Sequence, residues 1–472
     1  MTISTPIPPA TNTAESDPLA ALQARVQGPV IAPSDPRYAE ARLAWNRSVN
    51  QSPALIVAAA SAADVAEAVR YARAQGLGIA VQSTGHGVTL PADGALLILT
   101  AALKDLRVDP AAQTAWLGAG LQWGEVLAET QQHGLAPLLG SSPTVSVVGY
   151  TLGGGLGWLG RKHGLAVDSV ISFELVSPAG EVIRASAEEN ADLFWGLRGG
   201  GGSFGVVTGM EIRLYPVEMV YGGNLLYPIE DAREVMQRYR EWIRSAPDAL
   251  TTSVVLMNFP PFPQVPEPVR GKSFVMVRGC YAGPLEEGEA ALRYWRDWKA
   301  PAVDLFGPMP FREVAKISSD PVNPGPSFST GAWVRELSDE AIDTLIRCHR
   351  PQGGPPALTL VEVRHAGGAI ARVDPASAAY SHRDAQLVLF CVGMAPTPEA
   401  YANAAGLAAR MKEELAPALT GGMYMNFVHG QEARARTRQG YSPEAYSKLQ
   451  ALKAKYDPDN LFRYSYDIAA KA

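Results

Sequence analysis

Three glycine-dense segments carry most of the chemistry this sequence offers. The first is Gln82-Ser83-Thr84-Gly85-His86-Gly87. The second runs from Gly140 to Gly157 through Ser141-Ser142-Pro143-Thr144-Val145, and the third from Arg198 to Val207. Glycine tolerates positive φ and lets backbone N–H groups come close to a ligand. Consecutive free N–H groups in such loops form anion-binding nests, which suits a pyrophosphate. One glycine run reads as a flexible loop, whereas three in one half of the chain point to a nucleotide or dinucleotide ligand. The spacing is not that of the usual dinucleotide fingerprint. Gly153-Gly154-Gly155-Leu156-Gly157 lacks the GxGxxG pattern that opens a Rossmann helix, and no acidic ribose reader follows about 20 residues on. NAD is therefore disfavoured, and the missing Walker A pattern argues against an NTPase.

The elements that must hold these loops are short. From about Pro18 to Tyr215, strands alternate with helices and glycine turns. Ser61 followed by Asp64 reads as a helix start. Val65, Val69 and Ala72 continue at helical spacing, and Gly76 suits the left-handed stop. Strands are expected over Ile79–Val81, Leu96–Leu99 and Thr114–Leu117, with a helix from Glu125 to His133 ending at Gly134. From about Val220 to Leu415 the texture changes to longer β-rich runs: 222–229, 252–259, 273–282, 359–364 and 387–394. Between them lie amphipathic helices, one carrying Val235, Tyr239 and Trp242, another starting at Thr397-Pro398. This pattern predicts one broad antiparallel sheet covered by helices on one face.

Together the motifs resemble the berberine-bridge-enzyme-like FAD-linked oxidases of the vanillyl-alcohol-oxidase/PCMH superfamily. The resemblance rests on Gly85-His86, on Pro143-Thr144-Val145 with Gly149 and Gly153-Gly154-Gly155-Leu156-Gly157, and on Asp192-Leu-Phe-Trp195 through Arg198. It continues in Phe204-Gly205-Val206-Val207, Tyr424-Met-Asn426-Phe427 and Lys455 through Arg463. It implies an α+β fold: a PCMH-type FAD-binding domain over 18–217, a substrate domain over 218–419 with a large antiparallel sheet, and a segment 420–472 packing back on the first. Residues 1–17, rich in Pro, Thr and Ser, are expected to be a disordered leader.

In that family the loop histidine bonds to the flavin's 8α-methyl carbon, and His86 is the matching position. A neutral imidazole nitrogen is nucleophilic near pH 7, and a short glycine loop can present it. Many members add a second bond from a cysteine just before Pro-Thr-Val. That position is Ser142, so a single attachment is expected. Cofactor contacts are expected from the quoted segments: Gln82, Ser83, Thr84, Gly85 and Gly87 around the histidine, then Ser141, Ser142, Thr144, Val145 and Gly149. Gly153, Gly154, Gly155 and Gly157 follow, with Gly205, Val206, Val207 and Asn426. Val145 stands where relatives gate O₂ access.

The expected base is less clear-cut. The family's strand carboxylate falls near Phe390 or Cys391, and another family position, a histidine, is Phe427. Tyr424 is the best remaining base, provided its pKa of about 10 is lowered or the proton moves late. Tyr150 is placed to donate a hydrogen bond as charge builds on the flavin. Alternation puts Glu362 and Arg364 on one face of their strand, with Glu362 read as a solvated charge. Loops 260–269 and 321–333 are expected to line the pocket, with Phe328 and Trp333 as walls.

The resulting expectation is an FAD-dependent oxidase that removes a hydride from an alcohol carbon of a secondary metabolite or saccharide, with O₂ returning H₂O₂. An amine or alkaloid-type C–N or C–C oxidase is the alternative, and an inactive flavin-binding protein the alternative of another class. The whole-chain totals restrict the partners. A net charge of −6 suggests neither nucleic acid nor an anionic membrane as partner. Neither a signal peptide nor an apolar run near 20 residues is visible, so a cytoplasmic protein is expected. Cys280, Cys348 and Cys391 lie far apart without metal spacing, so no metal and no disulfide framework are expected.

Overall fold

A computed structural model describes residues 17–350, 353 and 356–469. The expected leader lies outside these residues except for Asp17, whose carboxylate caps the helix Pro18–Arg25.

The first half builds two sheets. Leu55–Ala58, Leu96–Leu99 and Ile79–Gln82 run parallel, with Val30–Ile31 added antiparallel at one edge. The helix Ala62–Ala74 covers them: Ser61 caps it, Val65, Val69 and Ala72 are buried, and Gly76 closes it at φ +66°. A second, antiparallel sheet has the order Leu106–Asp109, Thr114–Gly118, Val206–Arg213, Val170–Val176, Val182–Ser186. One apolar core spans both sheets and takes in Met423, Met425, Leu449, Phe462 and Ile468 from the C-terminal end.

The second half forms a single eight-stranded antiparallel sheet. Its order is Val303–Asp304, Met219–Pro228, Ser273–Tyr281, Leu250–Asn258, Leu360–His365, Leu387–Met394, Ser327–Val334, with Gly307–Pro310 also paired to Met219–Pro228. Alternation divides its two faces. Val254, Leu256, Val275, Val277, Val361, Val363 and Leu389 meet the helices Ala232–Ile243, Leu285–Arg296, Asp339–His349 and Pro398–Glu414. The opposite face, carrying Arg278, Ser253, Arg364 and Val388 in one cross-strand row, looks back at the first half of the chain. All three cysteines are buried free thiols.

Candidate active site

The floor of the site starts from the His86 loop. Trp45 and Asn46 N–H groups donate to the carbonyls of Thr84 and Gly85, and Gly85 takes φ +78° against Ala44. That fixes the loop from its rear and leaves the N–H groups of residues 83–87 without an acceptor among the described residues. The His86 ring is held on both sides. Nδ1 lies 2.9 Å from Thr84 Oγ1 and Nε2 3.1 Å from Thr144 Oγ1, while Trp45 stacks on the ring at 4.1 Å. Thr144 Oγ1 lies 3.1 Å from Ser142 Oγ, so Ser142 sits one hydroxyl away from the histidine. Burial first, then the nearby His429, pushes the His86 pKa down to about 4. The imidazole is neutral at pH 7.

Beyond the loop, the two tyrosines come together under the sheet. Tyr424 Oη accepts from Leu156 N–H at 2.8 Å and from the Asn426 amide at 3.2 Å. The Asn426 amide also donates to Tyr150 O. Burial nevertheless outweighs these donors and pushes Tyr424 up to about 12, so the lowered pKa wanted of a base is not what the surroundings produce. Tyr150 is also held well above the ordinary phenol value, by burial first, and its hydroxyl is buried without a partner.

The glycine segments divide in their use. Gly149 is exposed, and a Cβ there would meet only Ser146 Oγ, at 3.8 Å. The Gly153–Gly157 turn is filled by the protein itself. Cβ atoms would lie 1.9 Å from Asn426 Oδ1 at Gly153, 2.4 Å from Tyr380 at Gly154 and 1.8 Å from Leu139 O at Gly157. Gly155 meets Ala166 and Tyr150, and Gly205 meets Val176 O. On the side where a side chain would stand, each of these glycines meets neighbouring chain at a distance no larger residue allows. Val206 and Val207 are core residues of their strand. The Gln82 side chain turns inward, bonding Leu43 O and Gln51, whereas Ser83 Oγ is buried without a partner. Val145 is half-buried against the core, and Ser141 Oγ donates to Asp320 at 2.6 Å.

The roof carries the largest correction. Glu362 is not solvated but fully buried: Arg364 Nε donates to it at 2.8 Å, Ser253 Oγ at 2.7 Å, and Arg278 stands 3.7 Å away. Burial alone would raise its pKa, but the Arg364 and Arg278 charges and the Ser253 bond outweigh burial and hold it below the usual carboxylate range. Where a strand carboxylate was sought, Phe390 stacks on Phe427 at 4.0 Å, and the Arg364 guanidinium lies over both rings. Trp333 packs against Tyr424 at 5.7 Å, but Phe328 is turned to the helix side against Tyr401. Val265 of the Pro-rich loop packs on the site-facing side of the sheet with Phe390.

Trp45, Arg278, Asp320 and Thr251 went unnoticed in the sequence. Alternation within 250–258 and 273–281 would have put Thr251, Ser253 and Arg278 on the Arg364 face had the strand register been known. Trp45 sits in a segment with no periodic pattern. Among the described residues no group of His, Cys, Asp or Glu is arranged to hold a metal ion, and no helix is long and apolar enough to cross a membrane.

Comparison with known proteins bears on the same residues. The FAD binding domain family matches residues 53–186, and the berberine and berberine-like family matches 423–468. The chain is 30% identical over 464 residues to (R)-6-hydroxynicotine oxidase of Paenarthrobacter nicotinovorans, covering 94% of this chain and 97% of that protein. It is 28% identical over 489 residues to chitooligosaccharide oxidase of Gibberella zeae, covering 95% and 94%. The crystal structure of 6-hydroxy-D-nicotine oxidase from Arthrobacter nicotinovorans superposes with a TM-score of 0.81 at 26% identity, covering 94% of this chain and 98% of the other.

Proposed function

Since the chain belongs to the berberine-bridge-enzyme-like FAD-linked oxidoreductases, we propose that it holds FAD through a single covalent bond from His86 and oxidises a small organic molecule beneath the large sheet. One observation carries this reading: a neutral imidazole clamped between the Thr84 and Thr144 hydroxyls and stacked on Trp45. Such a ring keeps one nitrogen free of a proton at pH 7, as a nucleophile must. The surrounding residues suit the cofactor. The N–H groups of 83–87, the unpaired Ser83 and Tyr150 hydroxyls and the open backbone at Gly149 can donate to it, and Asn426 steadies the turn beside it. With oxygen in place of sulfur at Ser142, no second bond forms. FAD, when bound, accepts a hydride and passes electrons to O₂, giving H₂O₂.

The chain's own part is orientation. Tyr424 receives two hydrogen bonds and keeps its proton, so its O–H is available to a substrate heteroatom. Tyr150 faces growing negative charge with an unspent donor. An alcohol carbon is the expected site of oxidation. The same tyrosine supports a second reading, oxidation of a C–N bond, because a neutral amine needs no strong base. The Phe390–Phe427 stack and the relative named for 6-hydroxynicotine favour it too.

The test is acid denaturation of the purified protein. Yellow colour and flavin fluorescence should stay with the pellet, leave it in His86→Ala and remain in Ser142→Ala. Free FAD in the wild-type supernatant would refute the tether. Peroxide release on alcohols and amines then separates the two substrate readings, and no release on either leaves a flavin-binding protein without oxidase activity.

A further inference from the structure

Three parts of the chain meet the His86 loop from outside it. Trp45 stacks on the ring, Thr144 Oγ1 meets its Nε2, and His429 stands against Gly87, where a Cβ would lie 3.2 Å from its Nε2. One segment of the second half reaches all three parts. Gly325 N–H donates to Trp45 O, and Arg47 N–H donates to Gly325 O, a short parallel bridge. Beside it the buried Asn46 amide donates to Ser327 O at 3.0 Å, and its Oδ1 accepts from Ser327 N–H. Ser329 Oγ lies 2.9 Å from His429 Nδ1, and Gly430 N–H donates to Val88 O. At the near end, Asp320 accepts from Ser141 Oγ at 2.6 Å, three residues before Thr144.

Alternation explains the far end of this segment. Residues 327, 329, 331 and 333 share one face of the outermost strand and meet, in turn, Asn46, His429, Phe427 and Tyr424. The near end is a turn. Ser319 takes φ +50°, a region that non-glycine residues rarely occupy, and strain of this kind persists only where the surroundings over-determine it. Here Asn224 and Arg278 of the large sheet donate to Ile317 O and Ser318 O, which aims Asp320 at Ser141.

We propose that the segment 320–329 is a brace that sets the His86 ring for attachment to the flavin, with Asp320 as a positioning residue acting through Ser141. The inference rests on the tether reading and adds what aligns its nucleophile. Attachment exchanges one imidazole N–H and one C–H of the flavin methyl group for an N–C bond. The two electrons and two protons released go to O₂, giving H₂O₂. No brace residue enters that balance. Their part is orientation, where a misplacement of about 1 Å can cost on the order of a hundredfold in rate. The stretch carrying Thr144 is fixed on one side by Gly124 and Trp123 N–H groups donating to Pro143 O and Val145 O. The Ser141–Asp320 bond ties it to the second half.

The test divides the flavin retained in the acid-precipitated pellet by the total flavin bound before precipitation, for each purified holoprotein. Asp320→Ala and Ser141→Ala should each lower this quotient at least twofold, and the double variant should lower it no further. Asp320→Asn keeps an acceptor for Ser141 and should restore it. Ser338→Ala, which uncaps the helix Asp339–His349 on the opposite face of the sheet, should lower the melting temperature and leave the quotient unchanged. A wild-type quotient in Asp320→Ala and Ser141→Ala, or an equal fall in Ser338→Ala, overturns the brace. Ser141→Ala, which removes only a hydroxyl, decides the matter if Asp320→Ala does not fold. A yellow wild-type pellet with unchanged variants refutes only the brace, whereas a colourless wild-type pellet refutes the tether and the brace with it.

Discussion

On the floor of the site His86 is held by Thr84, two residues away in sequence, and by a loop whose carbonyls are tied from behind. On the roof Glu362 is held by Ser253, 109 residues away, and by arginines on its own strand and on Ser273–Tyr281. The floor is built on one short loop, with Thr144 and the Trp45 ring brought in from outside it. The roof is an ion cluster that exists only once three strands are in register. A floor of this kind tolerates replacement of a hydroxyl. A roof of this kind does not tolerate loss of one charge, because the remaining charges stay buried.

Glu362→Ala is the sharpest way to break that contrast. It strands Arg278 and Arg364, and a destabilisation of about 3–5 kcal/mol is expected for removing one partner of a buried cluster. Chemical denaturation should show it, against a change under about 1 kcal/mol in Thr144→Ser on the floor. A roof variant that unfolds at the wild-type midpoint would mean that water already reaches the cluster.

Within the floor, two glycines should behave in opposite ways. Gly157→Ala drives a Cβ to 1.8 Å from Leu139 O, which backbone must yield to accommodate, so a loss of about 3 kcal/mol or failure to fold is expected. Gly149→Ala lies in the helix Val147–Leu152 with open space beside it, so its melting temperature should match or exceed the wild type. Its flavin content should nevertheless fall, since the new methyl group enters the space assigned to the cofactor. Normal flavin content in Gly149→Ala would remove that stretch from the binding surface.

The same contrast explains what the sequence disclosed. His86, Ser142 and the Tyr424–Asn426 pair stand in contiguous motifs, and the broad sheet follows from alternating runs such as 387–394. Glu362 was misjudged because a carboxylate in an alternating strand looks solvated until its cross-strand neighbours are known. Here they are Val255 and Phe390, with Ser253 and Arg278 on the diagonal. Gly153 to Gly157 show a second limit of the same kind. A glycine signals close approach, and only the fold reveals that Asn426, Tyr380 and Leu139 are what approaches on the side a Cβ would take.

Between floor and roof stands Tyr424, bonded to the first by Leu156 N–H and packed against Phe427 of the second. Tyr424→Phe keeps the ring and loses the hydroxyl. Turnover should fall roughly tenfold to a hundredfold with a smaller change in KM, as expected for an orienting donor. Flavin retention should not change. A fall beyond about ten-thousandfold would instead assign it the proton transfer itself.

The smallest effect concerns acid. His349 and His365 are both buried, and burial is the first cause that holds their pKa values to about 4 and about 3, with Arg161 adding to it at His365. In the unfolded chain each titrates near ~6.5. Folded values below unfolded ones mean that the unfolded state binds more protons as pH falls. The stability these rings contribute is complete above about pH 6.5 and is lost as pH drops toward the folded values. Glu362, also lowered, acts in the same direction but only near and below the ordinary carboxylate range, so the interval from pH 6.5 to 5 reports the histidines. Melting temperatures should be level from pH 8 to 7 and decline from 6.5 to 5, with a shallower decline in His365→Gln. An unchanged slope in that variant would mean that the His365 ring is protonated in the folded protein.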